Sequence, residues 1–377
     1  MKITVVVLTL TLFTTLSFSQ DSEPQAYEHF NHAIEKFKVK DYQGAITSYT
    51  KAIQVDPNYQ KAYYNRGNAK LNVKDYAGAV EDFEKAAELD PNFKKAYLYK
   101  GYALMKMGKL EASVPSFTKT IKLDPENARA YTNRGTVFMK LEMYDAAAKD
   151  LKKAILLDPN QYTSAYNLGV CNTKIGEHFD AVNAFTAALD IKPNQPKALF
   201  NRGKSYLQLE KYAEAYSDFN LAVKYDPSND YAHYYKGYCK MMDEDMNGAI
   251  RDFSNALDVN PNLSSARHNR AIALFEQGKF AEAVEDYSEL IKSSPDKADL
   301  YVNRGISFIK MEKAKAAHKD FSRAIKINPE SEIAYYNRAS VNIQLNNKKE
   351  ACTDMKAAAK LGYKRAFAAA DDICGSM

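Results

Sequence analysis

Histidine and cysteine are scarce in this chain, whose 377 residues include only six histidines and four cysteines. The histidines form no catalytic constellation with a nucleophile or a carboxylate pair. His29 and His32 would share one face of a helix, but the third ligand that a metal site needs is not evident near them. We therefore predict that the protein is not an enzyme and carries no metal or cofactor.

Net charge and long apolar runs are also limited. The formal net charge is +5 and is spread along the chain, whereas a nucleic-acid-binding protein would cluster its basic residues. Beyond the N-terminus, no stretch reaches the roughly 18 apolar residues that a membrane-spanning helix needs. We therefore expect no nucleic-acid partner and no membrane span in the mature chain.

The N-terminal segment differs in composition from the rest of the chain. Lys2 is followed by an apolar run over 3–18, with the small residues Ser17 and Ser19 at its end. This order of basic, apolar and small residues is typical of a secretory signal peptide. We predict that 1–20 is a cleaved signal peptide and that the mature protein is periplasmic, secreted or bound at the cell surface. An uncleaved N-terminal anchor is the alternative.

Proline is infrequent, but its spacing is regular: nine of the twelve prolines recur every 34 residues. They are Pro57, Pro91, Pro125, Pro159, Pro193, Pro227, Pro261, Pro295 and Pro329. Proline ends one helix and can open the next, and a period of this length indicates a repeat array. We divide 26–365 into ten repeats, from 26–59 to 332–365, and expect a capping helix and tail at 364–377.

Each repeat has the same pattern when its positions are numbered 1 to 34. Position 8 is always Gly or Ala, position 20 is Ala in nine repeats, and position 24 is large and apolar. Positions 20, 24 and 27 form one stripe of a helix, and turn residues near positions 14–16 separate this helix B from an earlier helix A. Each repeat is therefore predicted to be an antiparallel helical hairpin that is stable only when stacked.

This pattern resembles the tetratricopeptide repeat family over about 340 of the 377 residues. The resemblance implies an all-α fold, a right-handed α-solenoid superhelix of ten helix-turn-helix repeats with a C-terminal capping helix. It also implies a non-enzymatic scaffold that binds partner proteins in a groove lined by helix A. The family's clamp for cytosolic heat-shock chaperones needs Lys at position 5, which no repeat has, so we do not expect that partner.

The groove positions predict a binding site for an extended peptide with acidic groups. Aromatic residues recur at position 5 and Asn at position 6, and basic residues at positions 2 and 13 are concentrated in the first six repeats. In similar proteins the Asn holds the peptide backbone, although it could equally bridge neighbouring helices. The predicted groove residues are Tyr64, Asn65, Lys95, Arg129, Asn133, Asn167, Phe200, Asn201, Lys204, Tyr234 and Asn269.

Two other functions are compatible with the same sequence. The protein could be a structural or assembly factor of a cell-envelope complex, or a regulatory subunit of an exported enzyme. Neither requires a peptide in the groove, so combined substitution of Tyr64, Asn65, Arg129 and Asn201 would separate them from groove binding.

Position 7 departs from the family, which usually has Leu there. Six repeats have Arg at position 7, and each of them has Asp at position 23. Because a guanidinium can bind a carboxylate through two hydrogen bonds, we predict a structural clasp between helix A and helix B rather than an anion receptor. The predicted pairs are Arg66–Asp82, Arg134–Asp150, Arg202–Asp218, Arg270–Asp286, Arg304–Asp320 and Arg338–Asp354.

The four cysteines fall into two pairs with different predicted roles. Cys352 and Cys374 come level if the last helix B and the capping helix form an antiparallel hairpin around Gly362. In an oxidising compartment we predict a disulfide that holds the capping helix. Cys171 and Cys239 both occupy position 10, too far apart to pair, and are predicted to be core residues.

Overall fold

The computed structural model describes residues 24–375, and the predicted signal peptide at 1–20 lies outside them. Within this range there are twenty-one helices and no strand. No helix within the described range is long and apolar enough to cross a bilayer. The helices are α1 (24–38), α2 (Tyr42–Val55), α3 (Gln60–Asn72), α4 (Tyr76–Leu89), α5 (Lys94–Lys106), α6 (Leu110–Leu123), α7 (Ala128–Lys140), α8 (Tyr144–Leu157), α9 (Tyr162–Ile175), α10 (His178–Ile191), α11 (Pro196–Gln208), α12 (Tyr212–Tyr225), α13 (Asp230–Met242), α14 (Met246–Val259), α15 (Ser264–Glu276), α16 (Phe280–Ser293), α17 (Ala298–Lys310), α18 (Ala314–Ile327), α19 (Glu332–Gln344), α20 (Lys348–Lys360) and α21 (Lys364–Gly375).

The chain forms two compact units, Met1–Pro193 (unit 1) and Asn194–Met377 (unit 2). From α2 to α10 in unit 1, and from α11 to α21 in unit 2, each helix packs against the next one in the chain. The odd-numbered helices up to α19 are the A helices of the repeats and the even-numbered ones are the B helices. The predicted all-α repeat solenoid is confirmed, and the right-handed superhelix stays a prediction.

Within each unit the helices form two layers. The A helices of neighbouring repeats contact each other directly at α3–α5, α5–α7 and α7–α9 in unit 1. The same holds for α13–α15 and α17–α19 in unit 2. One layer of each unit is therefore made of A helices, and its outer face is the surface on which the predicted groove residues lie.

Helix A ends in the same way in every repeat, because position 15 has a left-handed backbone. Three repeats place glycine there, for example Gly176 with φ of 91°. The others hold a non-glycine residue, such as Lys74 at 63° and Glu142 at 59°. A left-handed residue ends a helix and turns the chain back toward the next one. The sequence predicted a turn at positions 14–16 from its glycines and did not reveal that lysine, glutamate and asparagine adopt the same conformation.

Helix B ends two residues before the repeated proline. In the second repeat α4 ends at Leu89, and Asp90 and Pro91 follow. The Asp90 carboxylate accepts a hydrogen bond from the Asn92 N–H at 2.9 Å, which forms an Asx turn around the proline. The predicted role of proline as the end of helix B is confirmed. The side-chain turn at position 31 adds a second determinant that proline spacing alone did not show.

Close packing of the two helices depends on positions 8 and 24. A Cβ atom on Gly169 would lie 2.6 Å from the ring of Phe185, which is fully buried. In the three repeats where position 24 is Tyr or Met, position 8 is Ala instead of Gly. Such a pair is Ala339 with Met355, both of which are buried. The identity of the residue at position 24 therefore varies together with whether position 8 carries a Cβ atom.

The capping helix α21 packs on α20 and is joined to it by a disulfide between Cys352 and Cys374. The Cα atoms of these cysteines are 5.2 Å apart, and Gly362 supplies the left-handed residue of the intervening turn with φ of 96°. Cys171 and Cys239 are free and buried, as predicted. Burial raises the pKa of the Cys171 thiol to about 11 and that of Cys239 to about 12, so both stay protonated.

Removal of the disulfide should loosen the capping helix without disturbing the rest of unit 2. A bridge of this kind typically contributes about 2–4 kcal/mol by restricting the unfolded chain. For the C352S/C374S variant we therefore expect faster amide hydrogen exchange in α21, with exchange in α11–α16 unchanged. The same change should follow when the wild-type protein is reduced. Equal protection of α21 with and without the bridge would contradict this prediction.

Candidate functional site

The predicted groove residues all lie on A helices and fall into two groups, one in each unit. The structure brings together six of them in the A layer of unit 1: Tyr64 and Asn65 on α3, Lys95 on α5, Arg129 and Asn133 on α7, and Asn167 on α9. The other five belong to the A layer of unit 2: Phe200, Asn201 and Lys204 on α11, Tyr234 on α13, and Asn269 on α15.

The aromatic residues at position 5 pack into the repeat rather than projecting from it. Tyr64 is half-buried, with its ring centroid 4.9 Å from that of Phe93 and 5.9 Å from those of Phe83 and Tyr99. Desolvation by these contacts raises the pKa of the Tyr64 hydroxyl. Similar ring contacts join Phe200 to Phe219 and Tyr235, and Tyr234 to Phe253 and Tyr235. These rings therefore form the base of the A face.

Two of the position 6 asparagines bridge neighbouring A helices. Asn167 donates from Nδ2 to the Thr136 hydroxyl at 3.1 Å, which joins α9 to α7. Asn269 donates to the Tyr234 hydroxyl at 3.2 Å, which joins α15 to α13. For these two residues the structure favours the bridging role over peptide binding.

Other asparagines at this position have different surroundings. Asn65 is half-buried, and its Nδ2 donates to the Lys61 carbonyl one turn earlier at 2.9 Å. Asn133 has a buried Nδ2 that finds no hydrogen-bond partner among the described residues. A buried amide without a partner is unfavourable, and because this Nδ2 is closed to solvent, a ligand on the A face does not reach it in this conformation.

The predicted Arg–Asp clasps are present, and each guanidinium holds its carboxylate through two hydrogen bonds. In the eighth repeat Arg270 donates to Asp286 from Nη2 at 2.6 Å and from Nε at 2.8 Å. Asp286 is only 3 % exposed, and hydrogen bonding to it raises the pKa of Arg270. The same fork occurs in the other five predicted pairs.

The clasp also reaches the preceding repeat, which was not predicted. Arg270 donates from Nη1 to the Ser254 hydroxyl on α14 at 3.0 Å, and Arg66 donates to Thr50 on α2 at the same distance. A signal for this contact exists in the sequence, because position 25 is Ser or Thr in each repeat that precedes an Arg repeat. Each such guanidinium therefore links three helices, and this confirms a structural role for position 7.

Models of the tetratricopeptide repeat match the chain at 61–93, 128–161 and 196–229. Two further models of this repeat match at 35–73, 101–142 and 273–312, and at 302–369. The chain belongs to the tetratricopeptide repeat (TPR) family. TPR proteins are protein-interaction scaffolds, generally without enzymatic activity, and this is the general function that the fold of this chain supports.

Solved structures of other TPR proteins resemble the chain. The C-terminal part of a TPR protein from Cytophaga hutchinsonii aligns with a TM-score of 0.55 at 20% identity, over 63% of this chain and 97% of that one. YrrB, described as a TPR protein with an unusual peptide-binding site, aligns with a TM-score of 0.49 at 26% identity, over 51% of this chain and 98% of that one. No curated protein matches the chain.

The A layer of unit 1 carries a set of basic residues that we call the basic A face. These residues are exposed, and none forms an ion pair with another described residue. They are Lys61, Lys95 and Arg129 at position 2, and Lys106, Lys140 and Lys174 at position 13. Lysines elsewhere in unit 1 do find carboxylates, as Lys100 does with Glu84 at 2.7 Å and Lys94 with Asp124 at 2.9 Å. The basic A face is therefore a distinct, unneutralised surface of this TPR protein.

Tyrosine rings support two of these cations. Arg129 lies over the ring of Tyr99, 5.2 Å from its centroid, and donates to the Tyr99 hydroxyl at 3.2 Å. The ammonium of Lys106 lies 5.3 Å from the ring centroid of Tyr102. Cation–π contacts hold a basic side chain in place while leaving its outer edge in solvent. These two cations are thus partly ordered before any ligand arrives.

Proposed function

We propose that this TPR protein is an exported scaffold whose unit 1 binds an extended, acidic segment of a partner protein along the basic A face. The observation that carries this proposal is the lack of any compensating negative charge. None of the groove positions 2, 5, 6, 9, 12 and 13 in the first five repeats is Asp or Glu. Six cations without carboxylate partners on one layer of helices favour an anionic ligand.

The form of the ligand follows from how the basic residues are arranged. The A helices lie side by side, so cations at position 2 repeat from α3 to α5 to α7 across the face. An extended chain crossing these helices would meet one cation from each. Its carboxylates would pair with the cations through charge-assisted hydrogen bonds. A compact acidic domain would reach fewer of these groups at once.

Two observations support export. The basic and apolar pattern at 1–20 is typical of a signal peptide. The structure contains a disulfide between Cys352 and Cys374. Disulfide bonds persist in oxidising compartments and are rare in the cytosol. Fractionation of cells, with the mass of the purified chain, would test this. The export proposal would be contradicted by a cytosolic chain that keeps Met1 and in which Cys352 and Cys374 are both reduced.

Peptide binding can be tested by reversing charge on one helix layer at a time. The variant K61E/K95E/R129E/K140E changes four residues of the basic A face. The control K51E/K85E/K119E/K153E changes four lysines at position 26 of the B helices α2, α4, α6 and α8 and has the same net charge. Binding of a fluorescent peptide of alternating Glu and Ser residues is measured by anisotropy.

We expect the A-layer variant to lose about 100-fold in affinity, because four exposed ion pairs at roughly 0.2–1 kcal/mol each are replaced by repulsion. The B-layer control should lose less than about threefold at 0.15 M salt, where charges more than about 8 Å away are screened. Equal losses in both variants would show that only net charge matters, and binding that survives in the A-layer variant would place the peptide elsewhere.

A further inference from the structure

An open cavity of about 480 Å³ lies on the A-helix side of unit 2, within the eighth repeat and the start of the ninth. We call it the repeat-8 pocket. Its walls come from the first turns of α15 and α17 and from the end of α16. It contains none of the residues of the basic A face, which belongs to unit 1. The pocket is therefore a separate feature with its own chemistry.

The residues around the cavity differ from their equivalents in the first repeat. In the first repeat, Phe30 at position 5 packs against Tyr59 at position 34, with ring centroids 4.9 Å apart. In the eighth repeat these positions are His268 and Lys297, and Lys297 is exposed instead of packed. Leu290 also stands at position 27, where eight repeats have Ala. Lys297 therefore supplies no second ring beside His268, and Leu290 lines the cavity.

The base of the repeat-8 pocket is apolar. Leu290 and Leu300 both line it, and each is only 5 % exposed. An occupant that brings an apolar surface to these side chains would be stabilised by about 25 cal/mol for each Å² removed from water. The base therefore favours a hydrocarbon or aromatic group over a fully polar one.

The walls of the pocket offer neutral hydrogen-bonding groups. His268 is half-buried, with its ring edge-on to Tyr287 at 6.2 Å between centroids. Burial lowers the pKa of His268, and the positive charge of the nearby Lys297 lowers it further. The imidazole is therefore neutral at pH 7 and can both donate and accept a hydrogen bond. The hydroxyls of Ser264 and Ser294 also line the pocket. These groups suit a neutral hydroxyl on the occupant.

The rim of the pocket carries one charge of each sign. Lys297 and Asp299 both line it, both are exposed, and neither forms an ion pair with another described residue. A carboxylate entering the pocket would be attracted by one and repelled by the other, and the same is true of an ammonium group. The rim therefore gives neither charge an advantage, unlike the basic A face.

We propose that the repeat-8 pocket binds one tyrosine side chain of a partner protein. The ring of the tyrosine packs on Leu290 and Leu300, and its hydroxyl exchanges hydrogen bonds with His268 and the serine hydroxyls. Phenylalanine would fit the same space but would leave the buried face of His268 without a partner, which a site of this kind rejects strongly. An acidic side chain would place its charge against Leu290 and Leu300, and the rim would not compensate because it carries one charge of each sign.

The probe for this proposal is N-acetyl-L-tyrosinamide, compared with N-acetyl-L-phenylalaninamide and with N-acetyl-L-glutamic acid α-amide. Binding to the full mature chain is followed by NMR through the imidazole signal of His268 and the methyl signals of Leu290 and Leu300. We expect saturable shifts with the tyrosine probe and at least tenfold weaker binding of the other two. Equal binding of the phenylalanine probe, tighter binding of the glutamate probe, or no shift with any probe would overturn the proposal.

Substitutions within the pocket provide the controls. H268Y introduces the residue that stands at position 5 in four other repeats, so the fold should be kept while the cavity is filled and binding is lost. L290A restores the Ala found at position 27 in eight repeats and should weaken binding at least tenfold by removing the base. K297A should leave tyrosine binding within about twofold. Unchanged binding in H268Y or L290A would refute the site, and because the tyrosine probe is uncharged, that failure would not affect the test of the basic A face.

Discussion

Replacement of Asp286 by alanine is expected to destabilise the hairpin of α15 and α16 by about 3–5 kcal/mol. Asp286 is 3 % exposed and holds Arg270 through two hydrogen bonds, and it also accepts from Arg267 at 3.4 Å. The alanine variant would leave the Arg270 guanidinium partly buried with only the Ser254 hydroxyl as a partner. The loss is large because an unpaired buried charge costs more than the intact pair contributes.

The chain itself offers the control for this experiment. In the fifth repeat, positions 7 and 23 are Leu168 and Ala184, which are 7 % and 6 % exposed in the same two-helix geometry. The variant R270L/D286A copies that pair into the eighth repeat. We expect it to recover most of the stability lost in D286A, since replacing both charges by apolar groups is often close to neutral.

Hydrogen exchange of α15 and α16 is the suitable measurement, because a stacked array can open locally and a single global midpoint would average over its repeats. The single variant should exchange much faster than wild type, and the double variant should lie near wild type. If D286A and R270L/D286A exchange equally fast, the loss of stability in D286A does not come from an unpaired Arg270 guanidinium. If D286A matches wild type, the clasp contributes no stability.

The second large effect is expected at the centre of the fifth repeat. Phe185 is fully buried between α9 and α10, and truncation of a buried phenylalanine to alanine typically costs about 3–5 kcal/mol through lost contacts and the cavity left behind. We expect F185A to lower the stability of this hairpin by that amount. Exchange of the α9 and α10 amides reports the loss, and amides of α3 and α4 serve as the internal reference.

Coupling between Phe185 and Gly169 provides a sharper test of the same packing. G169A should cost about 1–3 kcal/mol, because its Cβ would lie 2.6 Å from the ring and force the ring or the helix to shift. In an F185M background the same substitution should be nearly neutral, since Ala339 and Met355 occupy these positions in the tenth repeat. Additive effects of G169A and F185M would contradict direct contact as the cause.

Much of this fold could be predicted from single residues and their spacing. Pro91 and its equivalents mark the end of each helix B, and Gly169 and Phe185 show which faces of helix A and helix B meet. The Arg–Asp clasps could be predicted because both partners lie within one repeat, 16 residues apart. Every repeat with Arg at position 7 also has Asp at position 23, whereas the repeat with Leu168 has Ala184. Contacts with the preceding repeat, such as Arg270 with Ser254, were missed because a serine on a helix carries little signal by itself.

The binding surface was harder to predict, because its residues play different roles at the same position. Asn167 and Asn269 bridge helices, Asn133 has no partner for its Nδ2 among the described residues, and the Tyr64 ring lies in the base of the face. Which role a residue takes depends on the side chain that stands opposite on the neighbouring helix A. The repeat pattern gives the position of a residue but does not give that partner.

The sequence by itself determined the ten hairpins, their register and the clasps between their helices, because proline, glycine and close helix contacts constrain the backbone locally in every repeat. The tertiary structure decided which side chains remain available to a partner. The cations of the basic A face are free because no carboxylate reaches them, and the repeat-8 pocket forms where α15, the end of α16 and the start of α17 meet around Leu290 and Leu300. Both outcomes depend on distances between helices about 30 residues apart, which only the folded chain brings together.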